Sequence, residues 1–216
     1  EIMASKILSE KVEKVRQFRL SSKAKTTNGY AKVPQLFAQI TQPDDVDFLI
    51  IPSVSSERRR YVPIGFATQD IISSNAVQIV PNATLYHFGV LTSNVHMAWM
   101  RAVCGRLKSD YRYSKEIVYN TFPWPKPTEE QKIKIEQTAQ MILNAREQYS
   151  DCSLADMYGE KMYLFPELVK AHQDNDRAVM QAYGFTKGSE AYKSEAACVA
   201  ELMKLYQKKV EELEKR

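Results

Sequence analysis

Thr121-Phe122-Pro123-Trp124-Pro125-Lys126-Pro127-Thr128 divides the 216-residue sequence into two differently patterned parts. Alternate prolines remove backbone donors and fix φ, so this run cannot continue a helix and reads as a stiff extended connector. Behind it only helical periodicity is found. Thr128-Glu129-Glu130-Gln131 has the form of a capped, acidic first turn, and Ile133 to Tyr149 sets Ile135, Ala139, Ile142, Leu143 and Ala145 along one side. Met162–Asp174, Asp176–Tyr183 and Glu190–Arg216 read as further helices, punctuated by Pro166, Gly184 and Gly188.

Ahead of the connector the pattern is mixed. Phe48–Pro52, Tyr61–Phe66 and Ala76–Val80 are short, β-branched or aromatic, and closed by turn residues, as strands are. Leu85–Val103 reads as one helix, and Ile117–Asn120 as a last strand. Glu1–Leu20 carries Ile2, Ile7, Leu8, Val12, Val15 and Phe18 near helical spacing. Ser21–Gly29 reads as a polar, basic loop, and Ala31–Ile40 as a short helix closed by Gln42-Pro43-Asp44. The expected fold class is α+β: a mixed α/β domain with a small sheet over residues 1–125, then an all-α domain over residues 126–216.

Composition narrows the functional classes. At 44% hydrophobic and 26% charged residues, the chain is neither disordered nor fibrous. Its most apolar run, Val46–Val54, is interrupted by Asp47, Pro52 and Ser53, so no membrane helix is expected. The N-terminus lacks signal-peptide order, and starting inside a charged amphipathic helix suggests part of a longer polypeptide. Cys104, Cys152 and Cys198 are odd in number with no C-x-x-C pair, which argues against a disulfide framework and for a cytoplasmic location. Residues 1–125 hold 16 basic and 10 acidic side chains, and residues 126–216 hold 14 and 16. That imbalance either directs a polyanion to the first half or is chance variation between two solvated surfaces.

Catalytic signatures are missing: no phosphate-binding glycine loop, dinucleotide fingerprint, H-E-x-x-H or marked nucleophile triad. Asp44, Asp45 and Asp47 sit in a turn-like context, and His87 and His96 do not share a helix face. Neither catalytic nor metal-ligating residues are expected.

Two basic clusters remain. Arg58-Arg59-Arg60 lies between expected strands, where it can reach a phosphate backbone or merely solubilise a loop. The second cluster holds Arg101, Arg106, Lys108, Arg112 and Lys115 with Asp110, interleaved with Tyr111 and Tyr113: cations and hydroxyls for phosphates, donor–acceptor pairs for base edges. Were Lys108 and Asp110 on one extended segment, their side chains would emerge on the same face. Lysine could donate to guanine O6 and N7 while aspartate accepts from cytosine N4. An ordinary surface ion pair is the alternative.

Longer blocks carry a resemblance. Ile79-Val80-Pro81-Asn82-Ala83-Thr84-Leu85-Tyr86-His87-Phe88-Gly89-Val90-Leu91-Thr92-Ser93, His96–Arg101, Gly105–Ser114 and Tyr119–Pro125 are similar to the target-recognition region of MmeI-like (type IIL) restriction–modification proteins. Arg177–Gly184 matches their helical tail more loosely. The resemblance implies a polypeptide combining an endonuclease, an S-adenosylmethionine-dependent adenine methyltransferase, a target-recognition domain and a C-terminal helical domain. This sequence would be the last two, with no cofactor of its own and no catalysis. It has neither the Asn-Pro-Pro-Phe/Tyr methylation motif nor a recognisable nuclease signature. Its implied partners are double-stranded DNA and the methyltransferase and nuclease domains of the same chain.

The family reads bases partly through a residue pair two apart, which matches Lys108 and Asp110, with Ser109 and Arg112 in the same segment. Asn75 and Ala76 match a second base-contacting stretch, asparagine suiting the adenine N6/N7 edge. Arg58, Arg59, Arg60, Arg101, Arg106, Lys115, Tyr111 and Tyr113 would then contact the DNA backbone. A reading from a different class is a protein–protein adaptor in a DNA-modification or phage-defence complex, its basic face docking an acidic partner.

Overall fold

The computed structural model describes residues 5–38, 40 and 43–215. The chain forms two compact units, residues 1–42 and 43–216. In the first, α1 (Lys6–Leu20) presents Arg19 to three carbonyls, Tyr30 O at 2.9 Å, Val33 O at 3.1 Å and Leu36 O at 2.8 Å. That fan of bonds shapes the segment that follows. The expected loop over Ser21–Gly29 is corrected, because Lys25–Gly29 forms a short helix, α2. The expected helix over Ala31–Ile40 shrinks to one tight turn, Tyr30–Lys32. Pro34 explains it: the residue before a proline is driven out of the helical region, and Val33 sits at φ −130°, ψ 61°. Ile2 and Gln42, used in the sequence reading, lie outside the described residues.

The second unit is built on β1 (Phe48–Pro52), flanked antiparallel by β3 (Gly65–Ala67) and β4 (Val77–Pro81), with Ile50 opposite both Gly65 and Ile79. Phe48, Leu49 and Ile51 are fully buried, so this centre strand is covered on both faces. A second sheet joins β2 (Val54–Ser55), β6 (Asp110–Arg112) and β5 (Gly105–Leu107), in the order β2-β6-β5. Ser53 alone separates β1 from β2. Its N–H donates to Ala76 O and its carbonyl accepts from Tyr113 N, both at 2.9 Å, so one residue ties the two sheets together.

Three sequence expectations change here. The Tyr61–Phe66 strand reduces to β3: Pro63 has no N–H to give a ladder, and Tyr61, Val62 and Ile64 turn into the core instead. The single helix over Leu85–Val103 is two, α3 (Leu85–Leu91) and α4 (Asn94–Val103). Ser93 breaks it, accepting from His96 N as a cap while its hydroxyl donates to Val90 O at 2.7 Å. The expected strand Ile117–Asn120 is a wide helical turn, Lys115–Tyr119, opened by Ser114.

After the connector come α5 (Glu129–Glu147), α6 (Leu154–Met157), α7 (Pro166–Ala182) and α8 (Glu195–Glu214). Thr128 and Gln131 cap α5 reciprocally, Thr128 N to Gln131 Oε1 at 2.9 Å and Gln131 N to Thr128 Oγ1 at 3.3 Å. These helices share one hydrophobic core with the sheets and with α3 and α4. Closeness of α3 to α5 depends on Gly89, where a Cβ would fall 2.7 Å from Ile135 Cγ2. Buried polar groups on α7 then clasp the earlier chain. Asn175 Nδ2 donates to Gly89 O at 2.8 Å, and Asp176 accepts from the Tyr61 hydroxyl at 2.7 Å and Asn94 N at 2.8 Å. From α5, Arg146 donates to Ile64 O at 2.8 Å and to the Tyr158 hydroxyl, which meets His172 Nε2 at 2.7 Å.

Candidate nucleic-acid interface

Arg106, Lys108, Asp110 and Arg112 of the second basic cluster fold into the hairpin β5–β6, which the sequence pattern did not reveal, while Arg101 lies on α4 and Lys115 begins the helical turn after the hairpin. Leu107 pairs with Asp110, leaving Lys108 and Ser109 as a two-residue turn. Such turns need positive φ at their first position, and Lys108 supplies it at 57°. The premise that Lys108 and Asp110 share one extended segment is therefore corrected: the lysine occupies the tip and the aspartate opens the returning strand. Gly105 to Ser109 are all exposed, so the tip is presented to solvent rather than spent on the core.

Neighbouring groups hold that tip in shape. The Arg106 guanidinium lies 4.1 Å from the Tyr111 ring centroid and donates to Ser109 O at 2.9 Å, closing the turn from outside. On β6, Asp110 and Arg112 project to one face while Tyr111 is buried on the other. The Tyr113 hydroxyl sits inside the core, 3.1 Å from His96 Nε2. Burial keeps that histidine neutral, its pKa pushed down to about 3.

The arginine turn comes to the same place. It leaves β2, the strand beside β6, and the Glu57 N–H donates to Asp110 Oδ1 at 3.4 Å. The two basic clusters, distant in sequence, thus meet at one end of the second sheet. They are not equally free. Arg58 donates to Glu160 Oε1 at 2.7 Å, and Arg101 donates to Arg60 O at 2.6 Å and Glu195 Oε2 at 3.0 Å. Lys115 lies 3.7 Å from Glu116. Arg59, Arg60, Lys108 and Arg112 form no ion pair among the described residues. Asn75 and Ala76 form an exposed turn entering β4, hung on Ser53 N through Ala76 O.

Sequence reasoning missed Glu160 and Ser53. Glu160 stands 102 positions from Arg58, beyond any local pattern. Ser53 carried a signal only in hindsight, as a polar residue trapped between two strand-like runs. His87, excluded above as a ligand, serves the start of α3 instead, where its Nδ1 accepts from Thr84 N at 3.1 Å. No group of three or more His, Cys, Asp or Glu that could hold a metal ion is present among the described residues. Nor is any helix among them long and apolar enough to cross a membrane.

Known proteins share this arrangement. A family model described as "MmeI, target recognition domain" matches residues 1–126, and one described as "MmeI, C-terminal domain" matches residues 127–214. DNA methyltransferase A of Bacillus subtilis (strain 168) is 36% identical over 211 residues, covering 98% of this chain and 23% of that protein. The solved structure of the type IIL restriction–modification enzyme MmeI in complex with DNA superposes with a TM-score of 0.86 at 46% identity, covering 96% of this chain and 27% of that one. The chain thus spans about a quarter of the length of these relatives.

Proposed function

The chain belongs to the MmeI family, comprising its target-recognition and C-terminal domains, and on that premise we propose that it reads a specific double-stranded DNA sequence through the β5–β6 hairpin. The exposed tip at Lys108, set where the arginine turn meets Asp110, is the observation that supports this most strongly. Lys108 and Asp110, with Ser109 and Arg112, would face base edges in the major groove. Asn75 and Ala76 would form a second reading element. Arg59 and Arg60 would lie along phosphates, giving affinity without sequence information. Arg58 and Arg101 would act chiefly as braces, since their guanidinium groups are already engaged.

Catalysis would belong to other domains of a longer polypeptide, an S-adenosylmethionine-dependent adenine methyltransferase and an endonuclease. In this reading the helices after the connector hold the readout surface in place instead of contacting bases. The experiment is selection of duplexes from a randomised pool by the 216-residue chain at low ionic strength, followed by sequencing. Enrichment of one motif, lost on replacing Lys108 and Asp110 together, is expected. Enrichment of no motif, with binding that depends on salt alone, would overturn sequence reading by this chain.

A further inference from the structure

A groove beside the connector shares no residue with the surface described above. It lies between Pro123–Lys126, the end of α7 at Tyr183, and α8 at Leu205 and Lys208–Lys209, and encloses about 400 Å³. That falls within the roughly 300–1,000 Å³ typical of small-ligand sites. Its connector wall is fixed. The Tyr183 hydroxyl donates to Pro123 O at 2.8 Å, pinning the connector to the end of α7. The Trp124 ring is held edge-on by His87, Tyr119 and Phe122, with centroids 5.6 to 5.8 Å away.

Its chemistry is one-sided. Lys126 on one wall and Lys208 and Lys209 on the other make no ion pair among the described residues, and the Trp124 indole N–H makes no hydrogen bond. Lysines nearby behave otherwise: Lys204 is paired to Glu201 at 2.6 Å and Lys193 to Glu190 at 2.5 Å. Three cations face a single carboxylate, Glu212, in a segment whose overall charge is slightly acidic. Ammonium and indole groups only donate, so the complement must be anionic and rich in acceptors. Between them the groove offers the half-buried Trp124 ring and the exposed Leu205 side chain, while Pro123 and Pro125 are buried behind. A duplex backbone is convex and keeps its bases stacked inside, so it could reach the lysines but not that ring.

We propose that this groove binds a free nucleoside phosphate, its phosphates between Lys126, Lys208 and Lys209 and its base against Trp124 and Leu205. Lysine serves phosphate as a mobile point charge, which suits cations drawn from two facing walls. A planar, acceptor-bearing base suits the Trp124 ring with its free N–H and the apolar Leu205 beside it. The site would thus make the chain responsive to a small metabolite at a surface separate from the hairpin.

Calorimetric titration of the 216-residue chain with adenosine diphosphate tests this, with emission of its two tryptophans as a second reading. Trp99 is buried, so a saturable change in emission would come from Trp124. One saturable site is expected, with adenosine and the Lys208→Gln/Lys209→Gln variant each at least about tenfold weaker. Lys126→Gln, on the opposite wall, should weaken binding in the same direction, and Lys108→Gln should leave it unchanged. All these side chains are exposed, and a matching thermal midpoint establishes that each variant is folded. No saturable binding, equal affinity in the groove variants, equal loss in Lys108→Gln, or binding of single-stranded oligonucleotide alone would each overturn the proposal. None of these results bears on whether the hairpin reads DNA.

Discussion

The Arg58 guanidinium donates to the Glu160 carboxylate at 2.7 Å across 102 residues of chain, joining the basic turn to the helices behind the connector. Both side chains are exposed, so the pair adds little stability. Its consequence concerns charge: one of three adjacent arginines already has a counterion.

Arg59 and Arg60 should therefore dominate the salt dependence of DNA binding. Replacing both with alanine is expected to lower the slope of log affinity against log salt by roughly two, equally for selected and scrambled duplexes. Arg58→Ala should lower it by less. Anisotropy titrations across a salt series measure this, and a change of base preference at constant slope would refute phosphate contact.

Lys108 and Asp110 should together specify one G·C pair, guanine on the strand nearer the lysine. The double change Lys108→Glu/Asp110→Arg is expected to invert that preference to C·G, each single change costing roughly 1–3 kcal/mol at that base pair. Lys108→Gly separates readout from folding, because glycine accepts the φ of 57° more readily than lysine does. Discrimination should fall while the thermal midpoint holds or rises. Duplex selection by the 216-residue chain carrying each change, read by sequencing, measures the base preference directly. A recognition site unaltered at every position would reduce the two residues to surface charges.

Gly89→Ala should destabilise the second unit by about 1–3 kcal/mol, as overpacking does. The added methyl would meet Ile135 Cγ2 at 2.7 Å and Asn175 Oδ1 at 3.1 Å. Ile135→Leu, which moves the branch away from Cβ, should recover part of the loss. Denaturant titration of the single and double variants tests it; additive losses would mean that the two helices do not meet there.

Burial raises the Asp176 pKa from 3.8 to about 6, against opposing bonds from Tyr61 and Asn94. A raised acid binds protons more tightly when folded, so its contribution is full at low pH. That contribution is lost as pH climbs from about 4 through about 6. Asp176→Asn should flatten this part of the stability–pH curve. An unchanged curve would place the carboxylate in contact with water.

Deleting residues 128–216 should prevent cooperative folding of what remains, because Tyr61, Ile64 and Gly89 would lose their partners on α5 and α7. Leaving buried groups unpaired costs about 1–3 kcal/mol apiece. A sharp thermal transition in the truncated chain would show two separable cores.

What the sequence makes legible is whatever is encoded locally. Phe48–Pro52 appears as a strand at the bounds expected, because four apolar residues and a proline leave little choice. Thr128 and Gln131 announce their helix for the same reason. The hairpin is hidden from pattern reading because its strands have three residues each and β5 is exposed throughout, erasing alternation. Ser93 reads as a tolerated polar residue in one long helix, and only its bond to Val90 O reveals a break. Within the candidate surface, residue types are readable but engagement is not. Nothing near Arg101 in sequence indicates that Glu195 will neutralise it, and nothing near Tyr113 that His96 will receive it.

Ser53 acts as a ruler. Its N–H faces the Ala76 turn and its carbonyl faces the chain returning from the hairpin, so two elements hang on a single residue. On the proposed reading, a duplex laid across both elements would be sampled at a spacing set by this backbone whatever side chains occupied the turn and the tip. Lengthening the chain by one residue at this point would alter the gauge without altering a single contact residue.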